Sequence, residues 1–109
     1  MDLTGKTALV TGASSGIGAA TAVVLADLGA DVAIGYFNNE KGASDILRAV
    51  EERGRKAVVI HADVRESSGC RYTVARAEEE LGPLDILVNN AGSLVERLRI
   101  LELTEERWD

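Results

Sequence analysis

Four short apolar runs recur along the chain, Thr7–Val10, Asp31–Tyr36, Ala57–His61 and Asp85–Val88, and a longer stretch of helical periodicity separates each from the next. Runs this short and nearly continuous in apolar residues suit parallel strands covered on both faces. The intervening stretches predict three helices. The first runs from about Gly16 to Leu28 with a stripe of Ile17, Thr21, Val24 and Leu28, and Gly29 behind it as a C-terminal cap. The second runs from about Glu40 to Arg53 and turns Ala43, Ile46, Leu47 and Val50 to one side. Asn38 or Asn39 caps its start and Gly54 ends it. The third runs from about Ser67 to Leu81 with Cys70, Val74, Ala77 and Leu81 on one stripe and Glu78, Glu79 and Glu80 mostly on the wet face, and Gly82-Pro83 stops it. Strand and helix alternating with short connections define an α/β class with a parallel sheet and right-handed crossovers.

The first strand-to-helix junction carries chemistry as well as topology. Thr11-Gly12-Ala13-Ser14-Ser15-Gly16-Ile17-Gly18 joins a strand directly to a helix N-terminus. There the first helical N–H groups lack intrahelical partners and the helix dipole adds partial positive charge, which together favour a phosphate. The glycines let the backbone approach a pyrophosphate where a Cβ would clash. Their spacing is Gly-x3-Gly-x-Gly rather than Gly-x-Gly-x-x-Gly, and no Lys-Ser/Thr pair follows as in a P-loop.

The bulk composition narrows the partners. A 109-residue chain with 46% hydrophobic and 28% charged residues accommodates one small globular domain. Its formal net charge of −6 argues against nucleic acid and against an anionic membrane surface. A single cysteine forbids an internal disulfide and fits a reducing, cytoplasmic setting. The N-terminus shows no secretory pattern, and no apolar run approaches the roughly 20 residues that span a bilayer.

Three motifs in register extend the reading. They are the glycine turn at residues 11 to 18, Asp63-Val64 after the third strand, and Asn89-Asn90-Ala91-Gly92 after Leu84-Asp85-Ile86-Leu87-Val88. In their order and separation the chain resembles the short-chain dehydrogenase/reductase family over essentially its whole length, Thr104 to Asp109 matching the start of that family's next helix. The resemblance implies a Rossmann-type doubly wound sheet with strand order 3-2-1-4, residues 1–109 forming the N-terminal dinucleotide-binding part of a single domain. It implies that Gly12, Gly16, Ile17 and Gly18 line the coenzyme pyrophosphate, with Ser14 and Ser15 near the adenosine ribose. Asp63 would accept a hydrogen bond from the adenine amino group, the Val64 N–H would meet a ring nitrogen, and Asn90, Ala91 and Gly92 would flank the adenosine. Asn89 would tie its loop to the central strands.

The family's catalytic serine and its tyrosine and lysine, four residues apart, belong beyond Asp109 and are placed on no residue here. The resemblance therefore describes the N-terminal half of an oxidoreductase, with a fifth strand expected beside the fourth. Tyr72 and Arg76 mimic the tyrosine–lysine spacing, but they precede the Asn-Asn-Ala-Gly segment, and arginine does not titrate like lysine. Coenzyme choice falls to the end of the second strand, where a carboxylate binds the ribose 2′-hydroxyl of NAD and repels the 2′-phosphate of NADP. That position is Tyr36, so the repulsive element is absent. The basic residues frequent in NADP-preferring relatives are also missing at Phe37 and Ser15, while Asn38 and Asn39 can donate to a phosphate. The balance favours NADP(H), with NAD possible.

The leading reading is thus an NADP(H)-dependent enzyme interconverting a small-molecule carbonyl and alcohol, assembling as a homo-oligomer in its full form. The alternative is a non-catalytic dinucleotide-binding module. Lesser expectations attach to His61 as an isolated histidine with no companion metal ligands, to Cys70 as a packing residue, to Trp108 as a packing residue, and to Arg97 and Arg99 as surface residues. Leu94 to Leu103 reads as an apolar or helical piece, and Ser93 to Leu103 is the stretch that would line a substrate pocket.

Overall fold

The computed structural model describes residues 1–13, 16–64 and 66–90. They form β1 (Thr7–Thr11), α1 (Gly16–Asp27), β2 (Asp31–Tyr36), α2 (Glu40–Glu52), β3 (Ala57–His61), α3 (Ser67–Leu81) and β4 (Ile86–Asn89). The four strands make one parallel sheet, as the alternation implied, in the order β3-β2-β1-β4 that the resemblance implied. Leu9 lies opposite both Ala33 of β2 and Leu87 of β4. Among the described residues β3 and β4 are the sheet's edges.

Successive residues of each strand feed opposite layers. Val10, Val32 and Ile34 pack with Ala22 and Ala26 of α1 and with Ala43 and Val50 of α2. Leu9, Ala33 and Ile60 pack on the other side with Val74 and Ala77 of α3 and with Leu84. Leu9 and Ile34 are fully enclosed, so each contributes about 1.5–3 kcal/mol by burial. Two helices on one face and one on the other make the sheet doubly wound.

The stripe expected for α1 is corrected. Gly18, Ala22 and Ala26 face the sheet, while Ile17 is 77% exposed and Val24 53% exposed. The helix is apolar on nearly every side, so periodicity cannot select its inner face. The small residues, spaced four apart, win because they let α1 approach β1 closely. The stripes of α2 and α3 stand as expected, with Ala43 and Val50 buried on one and Cys70, Val74 and Ala77 on the other. Glu78 departs from the wet face in part, since its carboxylate accepts the Leu84 N–H at 3.3 Å.

The strand ends shift by one residue for a physical reason. Asp85 stands before β4, donating its main-chain N–H to the Thr7 carbonyl at 2.9 Å and accepting the Thr7 N–H on its carboxylate at 2.9 Å. Asn89 extends β4 instead, opposite Thr11. Asn39, not Asn38, caps α2, its side chain accepting the Gly42 N–H at 2.9 Å. The expectations for Ser93, Leu94 to Leu103, Arg97, Arg99, Thr104 and Trp108 lie outside the described residues.

Candidate functional site

The chain runs from β1 outward through β2 to β3, then returns across β1 to β4. That reversal opens a crevice beyond the carboxyl ends of β1 and β4, the place where open α/β sheets bind ligands. Thr11 ties its two walls together. Its hydroxyl donates to Asn89 Oδ1 at 2.8 Å and accepts the Asn90 N–H at 3.1 Å. The Asn90 side chain adds a bond from Nδ2 to the Gly12 carbonyl at 3.3 Å. Thr11 is buried, so its own bonds are partly shielded from competing water, while the Asn90–Gly12 bond is exposed.

The glycine turn rises from this junction into α1. Gly12 and Gly16 adopt φ of 64° and 60°, a region that side chains with a Cβ enter only at a cost. The Ala13 N–H returns to the Gly35 carbonyl at 3.1 Å and pins the turn to β2. Gly18 is the point of closest approach. A Cβ there would collide with the Gly12 carbonyl oxygen and stand 2.8 Å from Asn90 Nδ2. Above Gly16 the space is open, because an added Cβ would meet nothing within 4 Å. The first turn of α1 carries no acidic residue, so nothing on the helix itself neutralises its positive end.

A second group of expected residues gathers at the ends of β2 and β3. Tyr36 is half-buried, while Phe37 and Asn38 are exposed. Tyr36 lies opposite His61, and its carbonyl accepts the Ala62 N–H at 3.0 Å. Asp63 and Val64 follow, Val64 being buried. Their loop is clamped against α3: the Glu66 N–H reaches the Asp63 carbonyl at 3.2 Å, and the Cys70 thiol donates to the Val64 carbonyl at 3.0 Å. Gly69 makes this possible, since a Cβ there would overlap the Asp63 carbonyl. A shallow hollow of about 370 Å³ lies behind the loop, lined by His61, Asp63, Glu66 and Tyr72 among others and by no described residue of the glycine turn.

The crevice therefore brings together Gly12, Gly16, Ile17, Gly18 and Asn90, with Tyr36, Phe37, Asn38, Asp63 and Val64 at the neighbouring strand ends. Ser14, Ser15, Ala91 and Gly92 lie outside the described residues. Sequence reasoning missed the Thr11 bridge, the clamp made by Gly69 and Cys70, and the side-chain bond of His61 described below. Only Gly69, a glycine inside the first turn of a helix, left a signal that could have been read. Tyr72 and Arg76 sit on the outer side of α3. The Arg76 guanidinium bonds Glu80 at 3.0 Å and lies 3.5 Å from Glu79, and the hydrogen bond to Glu80 raises its pKa further above an already high value. Among the described residues no three His, Cys, Asp or Glu side chains converge on a metal position.

A dinucleotide fits this arrangement. The start of a 12-residue helix with no acidic residue in its first turn favours an anion, and the open space above Gly16 would admit a diphosphate. Comparison with known proteins agrees. The family model described as short chain dehydrogenase matches residues 6–109. General stress protein 39 of Bacillus subtilis (strain 168) is 44% identical over 105 residues, covering 96% of this chain and 37% of that protein. The 2,3-dihydro-2,3-dihydroxybenzoate dehydrogenase of the same organism is 44% identical over 105 residues, covering 96% of this chain and 40% of the relative. A short chain dehydrogenase from Burkholderia cenocepacia J2315, solved in complex with NADP, superposes with a TM-score of 0.92 at 36% identity, covering 97% of this chain and 52% of the other. The chain thus spans 37% to 40% of the length of these two curated relatives.

Proposed function

The chain belongs to the short-chain dehydrogenase family, and on that basis we propose that it is the coenzyme-binding part of an NADP(H)-dependent oxidoreductase that interconverts a carbonyl and an alcohol. One observation carries the reading. The positive end of α1 opens onto the sheet's reversal point, its first turn carries no acidic residue, and among the described residues nothing lies within 4 Å of where a Cβ on Gly16 would stand. Gly12, Gly16, Ile17 and Gly18, with Ser14 and Ser15, hold the diphosphate and the adjoining ribose. Asp63 and Val64 read the adenine, and Asn90, Ala91 and Gly92 flank the adenosine. The coenzyme supplies the hydride; these residues bind and orient it.

The choice of NADP(H) rests on Tyr36, Phe37 and Asn38. No carboxylate stands at the end of β2 to repel a 2′-phosphate. Asn38 is exposed there, beside Asn39, whose side-chain oxygen caps α2. A structural neighbour carries NADP. The substrate class is a small-molecule carbonyl or alcohol. A homo-oligomeric, cytoplasmic enzyme completes the proposal; among the described residues no helix is long and apolar enough to cross a membrane.

The test is a pair of titrations of the full chain with NADPH and NADH, followed by ketone reduction with the tighter coenzyme. NADPH binding the more tightly supports the assignment. NADH binding tighter by about tenfold, or 1.4 kcal/mol, overturns the coenzyme choice, and binding of neither overturns the function.

A further inference from the structure

Two consecutive carbonyls leave the end of β2, and β3 meets both. The Tyr36 carbonyl accepts the Ala62 main-chain N–H at 3.0 Å. The Phe37 carbonyl lies 2.9 Å from His61 Nε2. A carbonyl oxygen only accepts, so Nε2 carries the hydrogen, and the imidazole extends the β2–β3 ladder one rung beyond the point where the main chains part. Two aromatic rings neighbour the imidazole. Its centroid is 5.1 Å from that of Tyr36 and 6.2 Å from that of Phe37, the latter pair nearly parallel at 16°.

On the far side of the turn Asn39 is also committed, capping α2 through Gly42. Asn38 therefore sits between two anchored neighbours. We propose that His61 is a positioning residue for coenzyme selection: its bond to the Phe37 carbonyl fixes the turn through which Asn38 reads the substituent on the ribose 2′-oxygen. This rests on the coenzyme reading above and names a residue outside the glycine turn and the adenine loop. A fixed turn presents the Asn38 amide in one place. A relaxed one presents it in many, which weakens a 2′-phosphate contact while leaving the diphosphate site over α1 untouched.

His61 is the only histidine, so its ring nitrogens can be read without ambiguity by 15N–1H NMR of the full chain. The neutral ring is expected as the Nε2–H tautomer, and its resonances should shift at least twofold more with saturating 2′,5′-ADP than with 5′-ADP. An Nδ1–H tautomer, or equal shifts, overturns the proposal without needing any variant. His61→Phe keeps the ring and loses the donor, whereas His61→Gln keeps a donor and loses the ring. The ratio of NADH to NADPH dissociation constants should fall at least fivefold in H61F and return to within twofold of the parent in H61Q. A parent chain that binds both coenzymes and an H61F variant, folded by circular dichroism, with an unchanged ratio refute His61's role alone. A parent that binds neither refutes the coenzyme reading and this inference together.

Discussion

Replacing Gly18 by alanine sets two physical effects against each other inside α1. Helix propensity favours the change, since glycine within a helix costs about 0.5–1 kcal/mol relative to alanine. Packing opposes it. The new Cβ would overlap the Gly12 carbonyl oxygen, stand 2.9 Å from the Gly12 carbonyl carbon and lie 2.8 Å from Asn90 Nδ2. The obstruction is backbone, which cannot swing aside like the end of a long side chain, so the cost belongs near the top of the roughly 1–3 kcal/mol range for overpacking. Displacing Asn90 also loses its bond to the Gly12 carbonyl, worth at least about 0.5 kcal/mol. Sterics win by about 2 kcal/mol. For a domain near this size that lowers Tm by about 8–16 °C. Differential scanning calorimetry of the parent, G18A and N90A measures it, and N90A alone should lose about 0.5–1 kcal/mol because it breaks the bond without the clash. G18A melting at or above the parent would show that propensity outweighs contact and that the turn is not packed as described.

Thr11→Val keeps the shape but removes the donor to Asn89 Oδ1 and the acceptor of the Asn90 N–H. A loss of about 1–3 kcal/mol is expected, read as a lower urea midpoint with unchanged m-value. Tyr36→Asp places a carboxylate where the coenzyme's 2′-substituent is read. NADPH affinity should fall at least about tenfold while NADH affinity holds or rises, by titration calorimetry; equal losses would refute the placement. The Asp2 carboxyl is held below its usual 3.8 by the Thr4 hydroxyl first and the Thr4 N–H second. A lowered native pKa means a small stabilisation that is complete above the unfolded-state value and disappears as pH falls through the native one. NMR titration should place the Asp2 midpoint below 3.8 in the parent and nearer to it in T4V, where only the main-chain donor remains.

Legibility followed the physics of each element. β2, β3 and α3 end where predicted, the strands at the limits of their short apolar runs and α3 at its Gly82-Pro83 terminator. The inner face of α1 was not legible. An all-apolar helix offers no contrast, and the decision came from how closely Gly18, Ala22 and Ala26 let it approach the sheet. At the site, backbone-driven features were readable: the glycine spacing marks a turn that positive φ confirms at Gly12 and Gly16. Of the bonds made by side chains from distant segments, the resemblance anticipated that Asn89 ties its loop to the central strands, but neither its partner Thr11 nor the His61 bond was readable. Thr11 meets Asn89 across 78 positions and His61 meets Phe37 across 24. No local periodicity encodes either bond.

The central claim is that the start of α1 holds the coenzyme diphosphate. A crystal structure of the full chain with NADPH tests it most directly. The diphosphate is expected against the N–H groups of Gly16, Ile17 and Gly18, with the adenine beside Asp63. A diphosphate bound elsewhere, or an ordered and accessible glycine turn left empty at saturating NADPH, would contradict it.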